Sequence, residues 1–478
     1  VVTSRLRRVA LLILALLTVC TIGAGAAVAH LLPARLALWR LPRVAVHPLT
    51  AAGPVLAAAA GPRGTAVTSG GLSARLSGTL ARPALGAHVA AVVASLPAGK
   101  VIFARNASAP FAPASTAKLA TAVAALRVLG PGARLSTRVV AGAGRAAIVL
   151  AGGGDPTLAA GRPPATDYPQ PATLAALAAR TARALRARHQ RTVRLRYDSA
   201  LYSGPPLAPS WPASYVATGN VSPITSLEVD QGRLTASGMP QDADDPGNFR
   251  PRSLTPAADA ARAFGSLLAA HGIRVRGPVR PGRPPAAGVT LARVTSPPLA
   301  EIVQWMLTES NNVIAENLAR QVAIAVGRPA SFSGAAAAVM AADRRLGVRG
   351  IRLVDGSGLS PADRITARAL VQLITLAAGP GRASLRPAIT GLPVAGFSGT
   401  LAPGVSVFGA TGPAARGVVR AKTGNLTSVA ALAGVAYASN GQLLAFAFMA
   451  DQVPKAGLSQ AGRVIDELAT ELAGCGCR

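Results

Sequence analysis

Three short polar islands stand in apolar surroundings in this chain, and they constrain what it can fold into more than any other feature. The first is Ser115-Thr116-Ala117-Lys118, where Pro113 and Ser115 open an apolar helical run that Gly130-Pro131 stops after Leu129. A spacing of three puts Ser115 and Lys118 on one helical face. The second is Ser310-Asn311-Asn312, a polar break between helical stretches at 299–307 and 313–325. The third is Lys422-Thr423-Gly424, entering the first of three antiparallel strands expected at 418–424, 428–437 and 442–450. Asn440-Gly441 supplies the hairpin turn between the last two. Taken singly, each island has an ordinary reading: an N-cap serine with a solvated lysine, a helix cap, and a turn.

Taken together they carry chemistry. Serine is a poor nucleophile near neutral pH and needs an adjacent base. A lysine held among other groups can be pushed neutral and accept that proton, which an arginine does not do in proteins. Backbone N–H groups at a helix start can face an oxyanion. In the second island the serine can relay a proton, and the asparagine amide both donates and accepts. In the third, Lys422 and Thr423 can bind a carboxylate while Gly424 admits a substrate backbone. Lysine usage adds independent weight. Lys and Arg total 49, yet lysine occurs only at Lys100, Lys118, Lys422 and Lys455, and two of those four occupy island positions.

Composition bounds the rest. A length of 478 residues is roughly three domains' worth at about 150 residues each, enough to bury a core without staples. Cysteine occurs only at Cys20, Cys475 and Cys477. A disulfide scaffold is therefore excluded, no Cys/His cluster has zinc-ligand spacing, and no metal or cofactor is expected. None of the five His sits in a motif-like context for a Ser-His-Asp triad. A net charge of +30 points to an anionic partner, membrane or wall polymer. An aromatic content of 4% and the lack of a recognisable binding motif argue against nucleic acid.

Arg5, Arg7 and Arg8 precede an uncharged stretch from Val9 to Ala29, long enough to span about 30 Å of hydrocarbon as a helix. Basic residues stay on the cytoplasmic side, so the remainder is expected to be exported. Ala27-Val28-Ala29 reads as a cleavage site and the run length as an anchor, so residues 1–30 are a signal peptide or a membrane anchor. Residues 31–85, rich in Ala, Pro and Gly, read as a linker. A first part of the main domain follows at 86–156, with strands at 87–96, 100–104, 138–141 and 146–151. An inserted region covers 157–295. A second part covers 296–474 and ends in a helix at 459–472, with a tail expected to fray.

The order S-x-x-K, S-x-N, K-T-G, on a helix start, a helix break and a strand, is similar to the signature of penicillin-recognising serine enzymes. Ser310 follows Lys118 by 192 residues, an interval much longer than in compact β-lactamases. Over about residues 86–470 the chain resembles the class C low-molecular-mass penicillin-binding proteins, the D-alanyl-D-alanine carboxypeptidase/endopeptidase family. The stretches Gly152-Gly153-Gly154-Asp155-Pro156-Thr157-Leu158, Asp198-Ser199-Ala200-Leu201-Tyr202 and Asp355-Gly356-Ser357-Gly358-Leu359-Ser360 also fit it.

The resemblance implies an α/β (α+β) fold, a transpeptidase/β-lactamase-like domain of antiparallel sheet and helices carrying a large insertion. It implies peptidoglycan stem peptides as substrate and β-lactams as inhibitors. Ser115 would attack the carbonyl of a D-Ala–D-Ala bond or cross-link, with Lys118 as general base. Ser310 would relay the proton to the leaving amine, and Asn312 would hold the substrate amide. Lys422 and Thr423 would bind the terminal carboxylate, and the N–H groups of Ser115 and Asn425 would form the oxyanion hole. Asp198 and Tyr202 match one side of a pocket for a diaminopimelate side chain. On its other side the family commonly has an arginine where this chain has Pro361, with Arg364 as a possible substitute. Asp155, Asp355 and Ser357 read as loop architecture. Two other readings compete: a β-lactamase or esterase on the same scaffold, and a wall-binding protein with an impaired site.

Overall fold

The computed structural model describes residues 66–144, 146–234, 250–405, 412–454 and 457–477. The N-terminal apolar run and most of the expected linker lie outside them. Among the described residues no helix is long and apolar enough to cross a membrane.

Helix α1 (Ser69–Leu80) begins where the Thr68 hydroxyl accepts from the Gly71 N–H. Its Leu72, Leu76 and Leu80, four residues apart, are buried on one face. The part of the expected linker from residue 66 is therefore built into the domain. The reason is this leucine stripe, which Ala- and Gly-rich flanks obscure in the sequence.

Strands β1 (His88–Ser95), β2 (Lys100–Arg105) and β3 (Pro110–Phe111) follow, and a 3₁₀ turn at Ala114–Ala117 runs into α2 (Lys118–Leu129). The inserted unit contains β4 (Ser136–Ala141), β5 (Ala147–Ala151), α3 (Leu174–Arg186), β6 (Thr192–Asp198), α4 (Pro256–Ala270), β7 (Arg274–Val275), β8 (Arg280–Pro281) and β9 (Thr290–Thr295). Then come α5 (Leu299–Thr308), α6 (Asn312–Ala325), α7 (Phe332–Arg345), β10 (Ile351–Arg352), β11 (Arg364–Thr366), α8 (Ala367–Ala378) and the short α9 (Pro387–Thr390). The chain closes with β12 (Val419–Leu426), β13 (Val429–Tyr437), β14 (Leu443–Asp451) and α10 (Leu458–Ala473).

The main sheet has the order β12-β13-β14-β1-β2 and is antiparallel throughout. The N-terminal hairpin therefore closes onto the C-terminal meander, which places the third island in the same layer as the strands before the first. On one face α1 and α10 bury Leu72, Leu76, Val464 and Leu468 against Leu432, Phe446 and Phe448. Each such leucine contributes roughly 1.5–3 kcal/mol of transfer free energy. Helix α2 is buried all round from Lys118 to Leu126, as expected of a central helix.

A second sheet has the order β7-β6-β5-β4-β9, with β8 also beside β6. Strands β4 and β5 belong to it, and share a core with α3, α4 and β9 through Val139, Ile148, Leu150, Leu177, Phe264 and Val294. The insertion thus begins at β4 rather than at residue 157. Local sequence does not disclose this, because the outer partners of β5 and β4 lie 47 and 150 to 159 residues further along. The tail does not fray: Cys475 is buried and disulfide-bonded to Cys477, whose carbonyl accepts from the Thr68 N–H at 3.1 Å.

Candidate active site

The first two islands meet directly. The Lys118 Nζ lies 2.9 Å from the Ser115 Oγ, 2.6 Å from the Asn312 Oδ1 and 2.8 Å from the Ser357 carbonyl oxygen. The second and third islands meet as well, with the Lys422 Nζ 2.8 Å from the Ser310 Oγ and 2.9 Å from the Thr423 carbonyl. Both lysines are fully buried, while both serines are part-exposed. In each pair a buried lysine amine therefore sits behind a hydroxyl that solvent or substrate can reach.

Close backbone approach holds the islands together. A Cβ at Gly424 would lie 2.7 Å from the Pro113 carbonyl, so glycine lets β12 lean on the nucleophile turn. A Cβ at Gly358, which has φ +83°, would lie 1.9 Å from the Ala114 carbonyl. Ala114 (φ 46°) and Ser310 (φ 56°) occupy the left-handed region, so both serine-bearing turns carry local backbone strain. The Thr423 hydroxyl pairs with that of Thr400 at 2.8 Å. Asn425 is exposed on β12, the edge strand of its sheet.

Burial sets the electrostatics. Loss of water pushes Lys118 down to about 7, against the opposing pull of Asp355, Glu316 and Asp363. Burial also drives Lys422 well below the ordinary lysine value, and the charge on Lys118 adds to the effect. Asp363 is pushed up to about 9, chiefly by burial and then by Asp355.

Asp155 and Asp355 do serve loop architecture. The Asp155 Oδ1 accepts from the N–H and hydroxyl of Thr157. Asp355 accepts from the N–H groups of Gly358 and Ser360 and from the Trp211 Nε1.

Asp198 and Tyr202 are not brought to Pro361 and Arg364. They line a cavity of about 500 Å³ with Pro281 and Arg283, beyond the end of β6. The Tyr202 hydroxyl turns inward, donating to the Asn317 Oδ1 at 2.8 Å and accepting from the Gln321 Nε2 at 3.1 Å. Asp198 holds the Ala200 N–H. Pro361 and Arg364 instead line a cavity of about 730 Å³ with Trp211, Tyr215, Leu426 and Asp451, whose wall includes Ala112, shortly before the nucleophile turn. Arg364 donates to the carbonyls of Pro361 and Asp363, so its guanidinium folds back on its own loop. The loop after β6 thus sets Tyr202 against the middle of α6, at Asn317 and Gln321, whereas Lys118 meets that helix at its N-terminus, at Asn312.

Sequence reasoning missed the Ser357 carbonyl, a third partner of Lys118, and the Asn220 carbonyl, which accepts from the Asn312 Nδ2 at 2.9 Å. Backbone acceptors carry no residue-type signal. It also missed Trp211 and Tyr215 as cavity walls, although aromatics are rare enough here to have been a cue.

Known proteins are similar to this chain in sequence and fold. The family model for the D-Ala-D-Ala carboxypeptidase 3 (S13) family matches residues 72–250 and 238–472. Carboxypeptidase DacB of Mycolicibacterium smegmatis is 39% identical over 415 residues, covering 86% of this chain and 85% of that protein. A D-alanyl-D-alanine carboxypeptidase of an Actinomadura species is 31% identical, covering 83% of each. Among solved structures, penicillin-binding protein 4 of Haemophilus influenzae superposes with a TM-score of 0.65 at 21% identity, over 84% of this chain and all of that one, so the two share a fold. With its three islands assembled on that fold, the chain belongs to the D-Ala-D-Ala carboxypeptidase 3 (S13) family.

Proposed function

We propose that this serine-type D-Ala-D-Ala carboxypeptidase cleaves peptidoglycan stem peptides through an acyl-enzyme on Ser115, with Lys118 as the base. The observation that carries the reading is the set of three neighbours around the Lys118 Nζ. Two of them, an amide oxygen and a backbone carbonyl, can only accept. A neutral amine gives its two N–H groups to these and points its lone pair at the third, the Ser115 hydroxyl. The proton passes to Nζ as Oγ attacks the D-Ala–D-Ala carbonyl. The C–N bond then breaks, and the departing D-Ala amine takes a proton through Ser310. Water hydrolyses the ester with Lys118 again as base.

Lys422 and Thr423 take the terminal carboxylate, whose charge restores the proton that burial disfavours on Lys422. Gly424 brings β12 against the nucleophile turn, and the peptide lies along that edge strand. The N–H groups of Ser115 and Asn425 serve the oxyanion, and Asn312 releases the Asn220 carbonyl to hold the substrate amide. The cavity walled by Trp211, Tyr215 and Pro361 accepts the stem side chain, and β-lactams acylate the same serine. The enzyme acts outside the cytoplasm, with residues 1–30 as its export signal or anchor and the +30 charge holding it to anionic wall or membrane polymers.

Fluorescent penicillin tests the reading. Folded protein should be labelled covalently, and Ser115→Ala should abolish the label. Labelling that survives Ser115→Ala, or none on folded parent, overturns it. Release of D-Ala from a pentapeptide, against slow turnover of penicillin, separates it from a β-lactamase.

A further inference from the structure

We infer that Glu316 is a positioning residue: by holding the 355–360 loop against α6, it fixes the Ser357 carbonyl that orients the Lys118 amine toward Ser115. The inference rests on Lys118 being the base.

Glu316 lies four residues after Asn312 on α6, on the same helical face, and is completely buried. Its Oε1 accepts from two successive backbone N–H groups, Gly356 at 2.9 Å and Ser357 at 2.8 Å. The carbonyl sides of those residues face the other way. Gly356 accepts from the Thr121 hydroxyl at 2.6 Å, and Ser357 from the Lys118 Nζ at 2.8 Å. The loop is thus clamped between α6, through one carboxylate, and α2, through two carbonyls.

Steric fit confirms how tightly it is held. A Cβ at Gly356 would lie 2.6 Å from the Ala319 Cβ on α6, and one at Gly358 would collide with the Ala114 carbonyl on the nucleophile turn. Asp355 arranges the loop internally, but Glu316 is the side chain that ties it to the helix bearing Asn312. Both acceptor-only partners of the Lys118 amine are therefore referenced to α6, one through Asn312 itself and one through Glu316. Arg320 pairs with the second carboxylate oxygen at 3.3 Å and is equally buried.

Charge adds a separable effect. Lys118 is faced by Asp355 and Asp363 from the loop and its continuation, by Glu316 from α6, and by Lys422 from β12 with Glu309 behind it. Removing the Glu316 charge leaves Lys118 easier to deprotonate. Glu316→Gln keeps an oxygen that can accept both N–H groups while giving up the Arg320 pair, whereas Glu316→Ala removes the acceptor as well.

The experiment measures β-lactam acylation rate and non-covalent affinity against pH for parent, Glu316→Gln, Glu316→Ala and Lys118→Gln, each checked for folding by circular dichroism. Glu316→Gln, which keeps the acceptor, should acylate within about threefold of the parent, its acid limb shifted down only slightly because burial pushes Glu316 itself up to about 7. Glu316→Ala should slow acylation about 10- to 100-fold, with affinity within about twofold. A Glu316→Gln loss as large as that of Glu316→Ala, an unslowed Glu316→Ala, or a Glu316→Ala loss confined to affinity or folded fraction, overturns the inference. Should Glu316→Ala not fold, Glu316→Asp, which draws the acceptor back from the loop, is measured in its place against Glu316→Gln. Parental acylation by Lys118→Gln would instead overturn the assignment of the base; a dead Lys118→Gln beside parental Glu316 variants rejects only the role given to Glu316.

Discussion

Two polar clusters sit along α6, and they look alike by burial and bonding. At the helix N-terminus Asn312 joins Lys118, Ser115 and Ser357. About one and a half to two and a half turns on, Asn317 and Gln321 join Tyr202, and Asn317 also reaches Glu228, which accepts in turn from the Ser222 hydroxyl. The difference lies in what remains open. In the first cluster a part-exposed hydroxyl faces an amine whose other two neighbours are acceptors only, so a lone pair has one direction to go. In the second, the Tyr202 hydroxyl is closed by one acceptor and one donor, and burial raises its pKa further above the ordinary tyrosine range. A satisfied buried network is architecture, whereas a network one proton short beside solvent is a reactive site.

The sharpest break of this comparison comes at Lys118. Lys118→Gln should lower the acylation rate by about 10⁴-fold, the upper range for a general base, in stopped-flow assays with a chromogenic β-lactam. The parent should show an acid limb near pH 7, because only neutral Lys118 is competent and its pKa sits at about 7. Below that limb the amine is protonated, and the rate should fall about tenfold per pH unit. A rate flat from about pH 5 to 9 would remove the distinction between the two clusters.

Lys422 should matter less to chemistry and more to recognition. Lys422→Gln should cost about 100-fold in kcat/KM on a peptide ending in a free carboxylate, in the range for losing a charge-assisted contact. On the same peptide ending in a carboxamide, the parent should already be slow and the substitution should change little. Equal losses on both peptides would shift Lys422 from carboxylate binding to the proton path through Ser310.

How much of this was legible follows the same division. Ser115, Lys118, Ser310, Asn312 and Lys422 were singled out by the order of the three islands and its family resemblance, the scarcity of lysine adding weight, and the fold brings them within hydrogen-bond reach of one another. The strands β1, β2 and β12–β14 were readable because they are local apolar runs bounded by turns. What was not readable depends on distant pairing or on backbone atoms. The insertion starts at β4 because β9 is its partner. The Ser357 carbonyl joins the site because Gly356 and Gly358 let the loop close on α6 and on the nucleophile turn. Asp198 and Tyr202 were placed by resemblance alone, and resemblance in a loop does not fix the direction of a side chain.

The smallest expected effect tests that last point. Tyr202→Phe removes one hydroxyl and leaves the Asn317 Oδ1 and Gln321 Nε2 each short of a partner in a buried setting. That should destabilise the fold by about 1–3 kcal/mol in denaturant titration. Acylation by penicillin and hydrolysis of a stem pentapeptide should stay within about twofold of the parent. Asp198→Asn should be milder still, because its described hydrogen bond is to the Ala200 N–H at the rim of a solvent-open cavity. If either substitution instead cut pentapeptide hydrolysis more than about tenfold while leaving penicillin acylation intact, the cavity beyond β6 would be part of stem-peptide recognition. The contrast between the two clusters would then be one of substrate reach rather than of chemistry against architecture.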